Sequence, residues 1–240
     1  MNNFFSGIDR AIPPFTKHLI FINLLMWLAS IVMPRFGVDL IDTLGLHYVG
    51  ASKFYAFQLL TNMFLHSTES FTHIFFNMFS LWMFGRAVEH FWGGKRFLLF
   101  YIACGLSASL LQEVVWYFQC RELPEMLAFS DTFGLSLEPK AEYLNRILAV
   151  GASGAVFGLL LAFGMLFPNA AIYLFFIPIP IKAKYFVIGY GLLELYFGVR
   201  STIPGSSDSI AHFAHLGGMI GGLILILFWR RKGKINGPYF

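Results

Sequence analysis

The chain has 240 residues, 57% of them hydrophobic and only 12% charged, with a formal net charge of +4. A soluble domain carries about 25% charged residues, so this composition leaves too little polar surface for a water-facing globule. The positive balance does not point to nucleic acid either: the basic residues form no patch with interleaved aromatics, and membrane topology accounts for their placement.

Six segments are apolar over roughly the 17–25 residues that a bilayer crossing needs: 17–34, 71–91, 96–118, 147–167, 184–200 and 211–229. Read this way the chain is all-α, a polytopic six-transmembrane-helix bundle. A short cytoplasmic segment 1–16 precedes the membrane domain 17–229, and a basic cytoplasmic tail 230–240 follows it. The first apolar run, from about Leu19, is not followed by a small-residue cleavage site, so no cleavable signal is expected. Between the first two crossings, "FYAFQLLTNMFL" (54–65) reads as a helix lying in the interface, which gives a membrane-embedded first outer loop.

The third crossing carries Cys104, and Cys120 lies just past its end. On one helix they stand about 24 Å apart, too far for a disulfide. The loop 119–146 is charged and carries no signal of its own. "IPIPIK" (177–182) cannot continue a helix, so 169–183 is expected to be a short extended turn at the membrane surface. Six crossings put both termini on one side. With the termini inside, eleven Lys and Arg flank the inner face against six outside, the asymmetry of a protein with cytoplasmic termini.

In this topology the second, fourth and sixth segments all run from outside to inside. At about 1.5 Å per residue, Ser153 is expected some 9 Å down, His215 about 6 Å down, and His73 and Asn77 about 3–9 Å down. Four polar groups thus share one layer of the outer leaflet. Intramembrane polar residues are functional candidates, yet each has a plainer reading. Gly154, Gly158 and Ala162 form a small-residue stripe suited to close helix packing, as do Ala214, Gly218 and Gly222. His212 and His215, at i and i+3, suit a metal. Zinc would want a further ligand and supporting carboxylates; the second segment alone offers another His at this level, with no acid beside it. No metal and no cofactor are therefore expected.

The combination carries more than its parts. A nucleophile needs a base within hydrogen-bond reach, and an acyl-transfer intermediate needs donors on its oxygen. Ser153 and His215 supply the first pair; His73 and Asn77, at i and i+4 on one helix face, supply N–H donors. No carboxylate stands ready to orient the imidazole: Glu113 and Glu194 fall on the third and fifth segments, Glu69 and Asp208 nearer water. A Ser–His dyad is expected, with Phe157, one turn below Ser153, holding the ring flat.

"GASG" (151–154), "AHLGGMIGG" (214–222) and "HIFFNMFSLWMFGRAVE" (73–89) resemble the G-x-S-G, A-H-x-x-G-x-x-x-G and H-x-x-x-N motifs of rhomboid intramembrane serine proteases. The resemblance covers most of the chain and implies the minimal six-helix form. It implies Ser153 as nucleophile and His215 as general base. His73, Asn77 and the backbone N–H of Ser153 would be oxyanion donors. Phe157, Gly151, Gly154, Gly218 and Gly222 would support them. Glycine spacing selects His215, because Gly218 and Gly222 follow it at +3 and +7; His212 is left to line the water-facing mouth. The implied reaction is hydrolysis of peptide bonds in single-span membrane proteins near the outer leaflet of a bacterial cell membrane. One departure stands out: Phe57-Gln58 occupies the place where many members have Trp-Arg, which leaves the anchoring of the first loop open. The rival readings are a non-catalytic relative that binds membrane clients, and a His-based metal carrier.

Overall fold

The computed structural model describes residues 12–131, 134–174, 177–201, 211–233 and 235. The first eleven residues, most of the tail after Gly233, and Asp208 lie outside the described residues.

Helix α1 spans Pro14–Val32 and runs on as a 3₁₀ turn, Met33–Phe36. Pro14 at its first position needs no hydrogen-bond acceptor, but the next N–H groups do. Glu89 supplies one: its carboxylate accepts from the N–H of Phe15 (3.0 Å) and from the N–H and hydroxyl of Thr16 (both 2.7 Å). This buried cap ties α1 to the end of the second helical run. Glu89→Ala should cost about 2–3 kcal/mol, since it orphans buried donors that had a charged acceptor. Thermal unfolding in detergent checks this, with a midpoint well below that of the parent protein expected.

The first loop holds α2 (Leu40–Leu44), β1 (Leu46–His47) and α3 (Gln58–Thr61), followed by a 3₁₀ turn, Asn62–Phe64. The expected interface helix over 54–65 is thus reduced to helical turns over 58–64. Its polar side chains are turned inward to hold backbone rather than outward to water. Gln58 is fully buried. Its Oε1 accepts from the N–H groups of His47 (3.3 Å) and Tyr55 (3.1 Å), and its Nε2 donates to the carbonyls of Thr43 (3.1 Å) and Lys53 (3.0 Å). One amide, with donors and acceptor both used, therefore anchors the loop where an arginine would have only donated.

The second run comprises α4 (Phe71–Ser80), a π turn (Leu81–Gly85) and α5 (Arg86–Trp92). Helix α6 spans Gly94–Cys120; Cys104 and Cys120 are both free thiols. The 119–146 loop is more ordered than its composition suggested: β2 (Met126–Asp131) pairs antiparallel with β3 (Gly134–Pro139), and α7 (Lys140–Arg146) follows. Strand β4 (Leu148–Ala149) then pairs antiparallel with β1.

That pairing changes the fourth segment. Helix α8 spans Ser153–Leu166 and does not start near 147, because 148–149 are held extended against the first loop and Gly151 takes φ 142°, where side-chain-bearing residues are strained. Ser153 is accordingly the first residue of its helix and not six residues inside it. After α8, β5 (Ala171–Leu174) pairs antiparallel with β6 (Ile177–Lys182) within the stretch expected to be an extended turn. Helices α9 (Ala183–Ser201) and α10 (His212–Arg231) complete the fold.

Among the described residues three helical stretches are long and apolar enough to cross a membrane, Pro14–Phe36, Gly94–Cys120 and His212–Arg231, and Ser153–Leu166 is a shorter apolar helix. Outward-facing Phe21, Leu25, Leu28, Leu192, Leu195 and Tyr196 are exposed, an arrangement stable only where lipid is the solvent. The interior is packed around Phe97, Phe100, Tyr101, Leu159 and Ile226. Helices α6, α8 and α10 meet through small residues: a Cβ on Gly154 would run into Ala108, one on Gly158 into Cys104, and one on Gly218 into the carbonyl of Gly154. The Ser107 hydroxyl donates to the Gly217 carbonyl at 2.8 Å across the same contact.

Candidate active site

The close approach of α8 and α10 puts the first residue of one beside the first turn of the other. Ser153 Oγ and His215 Nε2 lie 2.8 Å apart. Phe157, one turn on, stacks on the imidazole with ring centroids 4.2 Å apart and planes 6° from parallel. As the first residue of α8, Ser153 also has a backbone N–H with no acceptor inside the helix.

His73 approaches from α4. A Cβ on Gly151 would lie 3.0 Å from His73 Nε2 and 3.5 Å from Ser153 Oγ, so these two atoms flank the glycine. The Ser67 N–H donates to His73 Nδ1 at 3.3 Å; the ring proton then belongs on Nε2, which makes Nε2–H a donor facing the serine. Gly151 itself donates its N–H to the Asn62 carbonyl at 3.0 Å, so the loop held by Gln58 also buttresses the turn before Ser153. Asn77 is buried, and its Nδ2 donates to the His73 carbonyl at 2.9 Å. That bond uses one of the amide's two N–H groups; among the described residues no hydrogen bond joins Asn77 to Ser153 or His215.

Two expectations need correction. The first is the absence of an acid near the imidazole. Glu194 reaches in from α9, its Oε2 2.8 Å from His215 Nδ1 and 2.6 Å from His212 Nδ1. The ground for setting a metal aside, that no acid sits beside the histidines, falls with it: one ligand atom from each of Glu194, His212 and His215 lies within 4.8 Å of the others. The second concerns His212, which does not line a water-facing mouth. It is 5% exposed, covered by Phe197 at 5.5 Å between ring centroids and held by Glu194.

One buried group gave no signal in the sequence. His66, in the first loop, is fully buried with its ring 5.1 Å from that of His73. Neither of its ring nitrogens has a hydrogen-bond partner among the described residues. Burial, and then the neighbouring His73, push its pKa down to about 3. The unfolded chain therefore binds a proton near pH 6.5 that the folded chain refuses until about pH 3. This group's contribution to stability is complete above about pH 6.5 and is lost as pH falls toward 3, at about 1.4 kcal/mol per pH unit. His66→Leu should flatten the acid side of a plot of unfolding midpoint against pH; an unchanged slope would mean that the ring is not held neutral by burial.

The Rhomboid domain family model matches residues 53–232. Rhomboid protein 1, mitochondrial, from Saccharomyces cerevisiae is 30% identical over 162 residues, 66% of this chain and 38% of its own length. RHOMBOID-like protein 12, mitochondrial, from Arabidopsis thaliana is 30% identical over 182 residues, 74% of this chain and 47% of its own length. Rhomboid protease GluP from Bacillus subtilis is 30% identical over 166 residues, 69% of this chain and 24% of its own length. The chain thus spans less than half the length of each of these relatives. With the family match covering most of the chain and lying across every residue of the site just described, this integral membrane protein belongs to the rhomboid family.

Proposed function

We propose that the protein is an intramembrane serine endopeptidase that hydrolyses peptide bonds of transmembrane proteins, with Ser153 as nucleophile and His215 as general base. The observation that carries this reading is the 2.8 Å approach of Ser153 Oγ to His215 Nε2; relatives named as rhomboid proteases support it. In the first step the Ser153 hydroxyl proton passes to His215 Nε2 while Oγ bonds to the scissile carbonyl carbon, whose oxygen takes up the negative charge. His73 Nε2–H and the Ser153 backbone N–H face that oxygen, with Asn77 as a third donor, and hydrogen bonds to developing charge are often the largest catalytic contribution. Collapse breaks the C–N bond, and the leaving amine takes the proton from His215. Water then gives its proton to His215 and attacks the ester, releasing the acid and restoring the serine.

A transmembrane helix already satisfies its own backbone groups, so a substrate must unwind locally before attack. Segments containing helix-weakening residues in single-span proteins are the substrate class that fits. We assign six crossings, the three candidate spans together with the runs 71–92, 153–166 and 183–201. We place the termini in the cytoplasm of a bacterial cell, an orientation that the Lys and Arg asymmetry favours.

The test is cleavage of a single-span reporter with a destabilised helix by purified protein in liposomes: cleavage is expected from the parent chain and none from Ser153→Ala. A second reading, a metal-binding protein, has one observation in its favour, the convergence of Glu194, His212 and His215. It takes over if Ser153→Ala cleaves normally while a chelator stops activity. A client-binding protein without catalysis would retain reporters uncut in both forms.

A further inference from the structure

We infer that Glu194 is a positioning residue for His215, which makes the centre a Ser–His–Glu arrangement, and that the oxygen it turns to His215 is shared with His212. The inference rests on the serine-protease reading above and extends it to a residue on a third helix.

Three observations converge on it. Glu194 is 7% exposed, His212 5% and His215 8%. A carboxylate in such a place is costly unless donors surround it, and two Nδ1 atoms, at 2.6 Å and 2.8 Å, reach the same Oε2. An ionised carboxylate only accepts, so each imidazole must present Nδ1–H to it. For His215 this leaves the lone pair on Nε2, the nitrogen 2.8 Å from the Ser153 hydroxyl. The ring is thereby held in the one neutral tautomer able to take the serine proton. When it does, the imidazolium forms beside a negative charge. Stacking on Phe157 fixes the plane of the ring, but an apolar face cannot choose between tautomers. The acid does what the stack cannot.

His212 sets the share. Its Nδ1 draws on the same oxygen, and Phe197 stacks on its ring at 26°, so it steadies the carboxylate beside His215. Among the described residues, the titratable groups around His215 include Glu194 and Tyr190 on α9, His212 on its own helix and His73 on α4.

The test compares Glu194→Gln with the parent protein in kcat and KM, using reporter cleavage, and in the rate of fluorophosphonate labelling. Glutamine keeps the shape and offers an amide oxygen to the two N–H groups, but no charge. A hydrogen bond to a charged group is stronger than one to a neutral group by an amount that corresponds to about a 5- to 15-fold change in rate. The expected result is a kcat and a labelling rate both lower by about that factor, with KM little changed, because His215 is no longer held by a charged partner with its Nε2 lone pair toward Ser153. His212→Ala should lower kcat less than Glu194→Gln does, since Glu194 still faces His215. A merely structural Glu194 would lower activity only in proportion to the folded fraction and leave kcat and the labelling rate per folded chain unchanged; that outcome overturns the inference, as does a Glu194→Gln protein with unchanged kcat. Ser153→Ala in the same assay keeps the two proposals apart. If it remains active, the serine-protease reading fails; if it is inactive while Glu194→Gln behaves as the parent, only the inference about Glu194 fails.

Discussion

Ser153→Ala and His215→Ala are each expected to lower reporter cleavage by about 10⁴-fold or more, and the double substitution is expected to do no further damage. Residues that act as one unit are strongly non-additive. Once the hydroxyl is gone the imidazole has no proton to take, and once the imidazole is gone the hydroxyl is a poor nucleophile. The geometry fits that expectation: the two atoms lie 2.8 Å apart across the contact between α8 and α10. Ser153→Ala should leave folding nearly untouched, whereas His215→Ala also takes a stacked ring from Phe157 and a donor from the buried Glu194 carboxylate and should lower the unfolding midpoint. Unfolding midpoints, measured beside the cleavage rates, separate loss of chemistry from loss of structure, with Ser153→Ala expected within a few degrees of the parent. Double-substitution losses equal to the product of the single ones would mean that the two side chains act independently.

Gly218→Ala should abolish activity by a different route. A Cβ on Gly218 would stand 2.6 Å from the carbonyl carbon of Gly154 and closer still to its oxygen. Those atoms are backbone and cannot swing aside as a side chain would. The helices must separate, and the site straddles them: Ser153 is next to Gly154, and His215 is one turn before Gly218. We expect a loss of about 3 kcal/mol or more, at the upper end of overpacking costs, together with a stretched Ser153–His215 contact and little residual cleavage. Gly189→Ala is the control. It lies in helix α9 with open space where its Cβ would be, so the same chemical change should be neutral or should stabilise by up to about 1 kcal/mol through helix propensity. If both substitutions are tolerated equally, close backbone packing is not what joins the two halves of the site.

The sequence was readable where a pattern is local. Apolar runs of crossing length mark every long helical stretch, because lipid demands helices that satisfy their own backbone. The spacing Gly218, Gly222 after His215, and the pair Gly151 and Gly154 around Ser153, mark where backbones meet. The structure gives those glycines separate reasons: Gly151 holds a positive φ beside His73, and Gly154 and Gly218 meet face to face. What stayed hidden depends on partners distant in the chain. Glu194 looked like a stray charge on the fifth segment, since nothing local says which way its helix is turned; only the packing of α9 against α10 brings it to His215. The start of α8 was misjudged because 148–149 are apolar enough for a helix and become extended only by pairing with 46–47. Gln58 carried no visible role, because the backbone groups it binds come from four separate loop positions.

Covalent labelling of the purified protein with a fluorophosphonate, followed by mass spectrometry of the adduct, tests the central claim most directly. The prediction is one adduct per chain, on Ser153, formed by the parent protein and nearly absent in His215→Ala. An unlabelled Ser153 in a protein that still cleaves its reporter, or an adduct on another residue, would contradict the account.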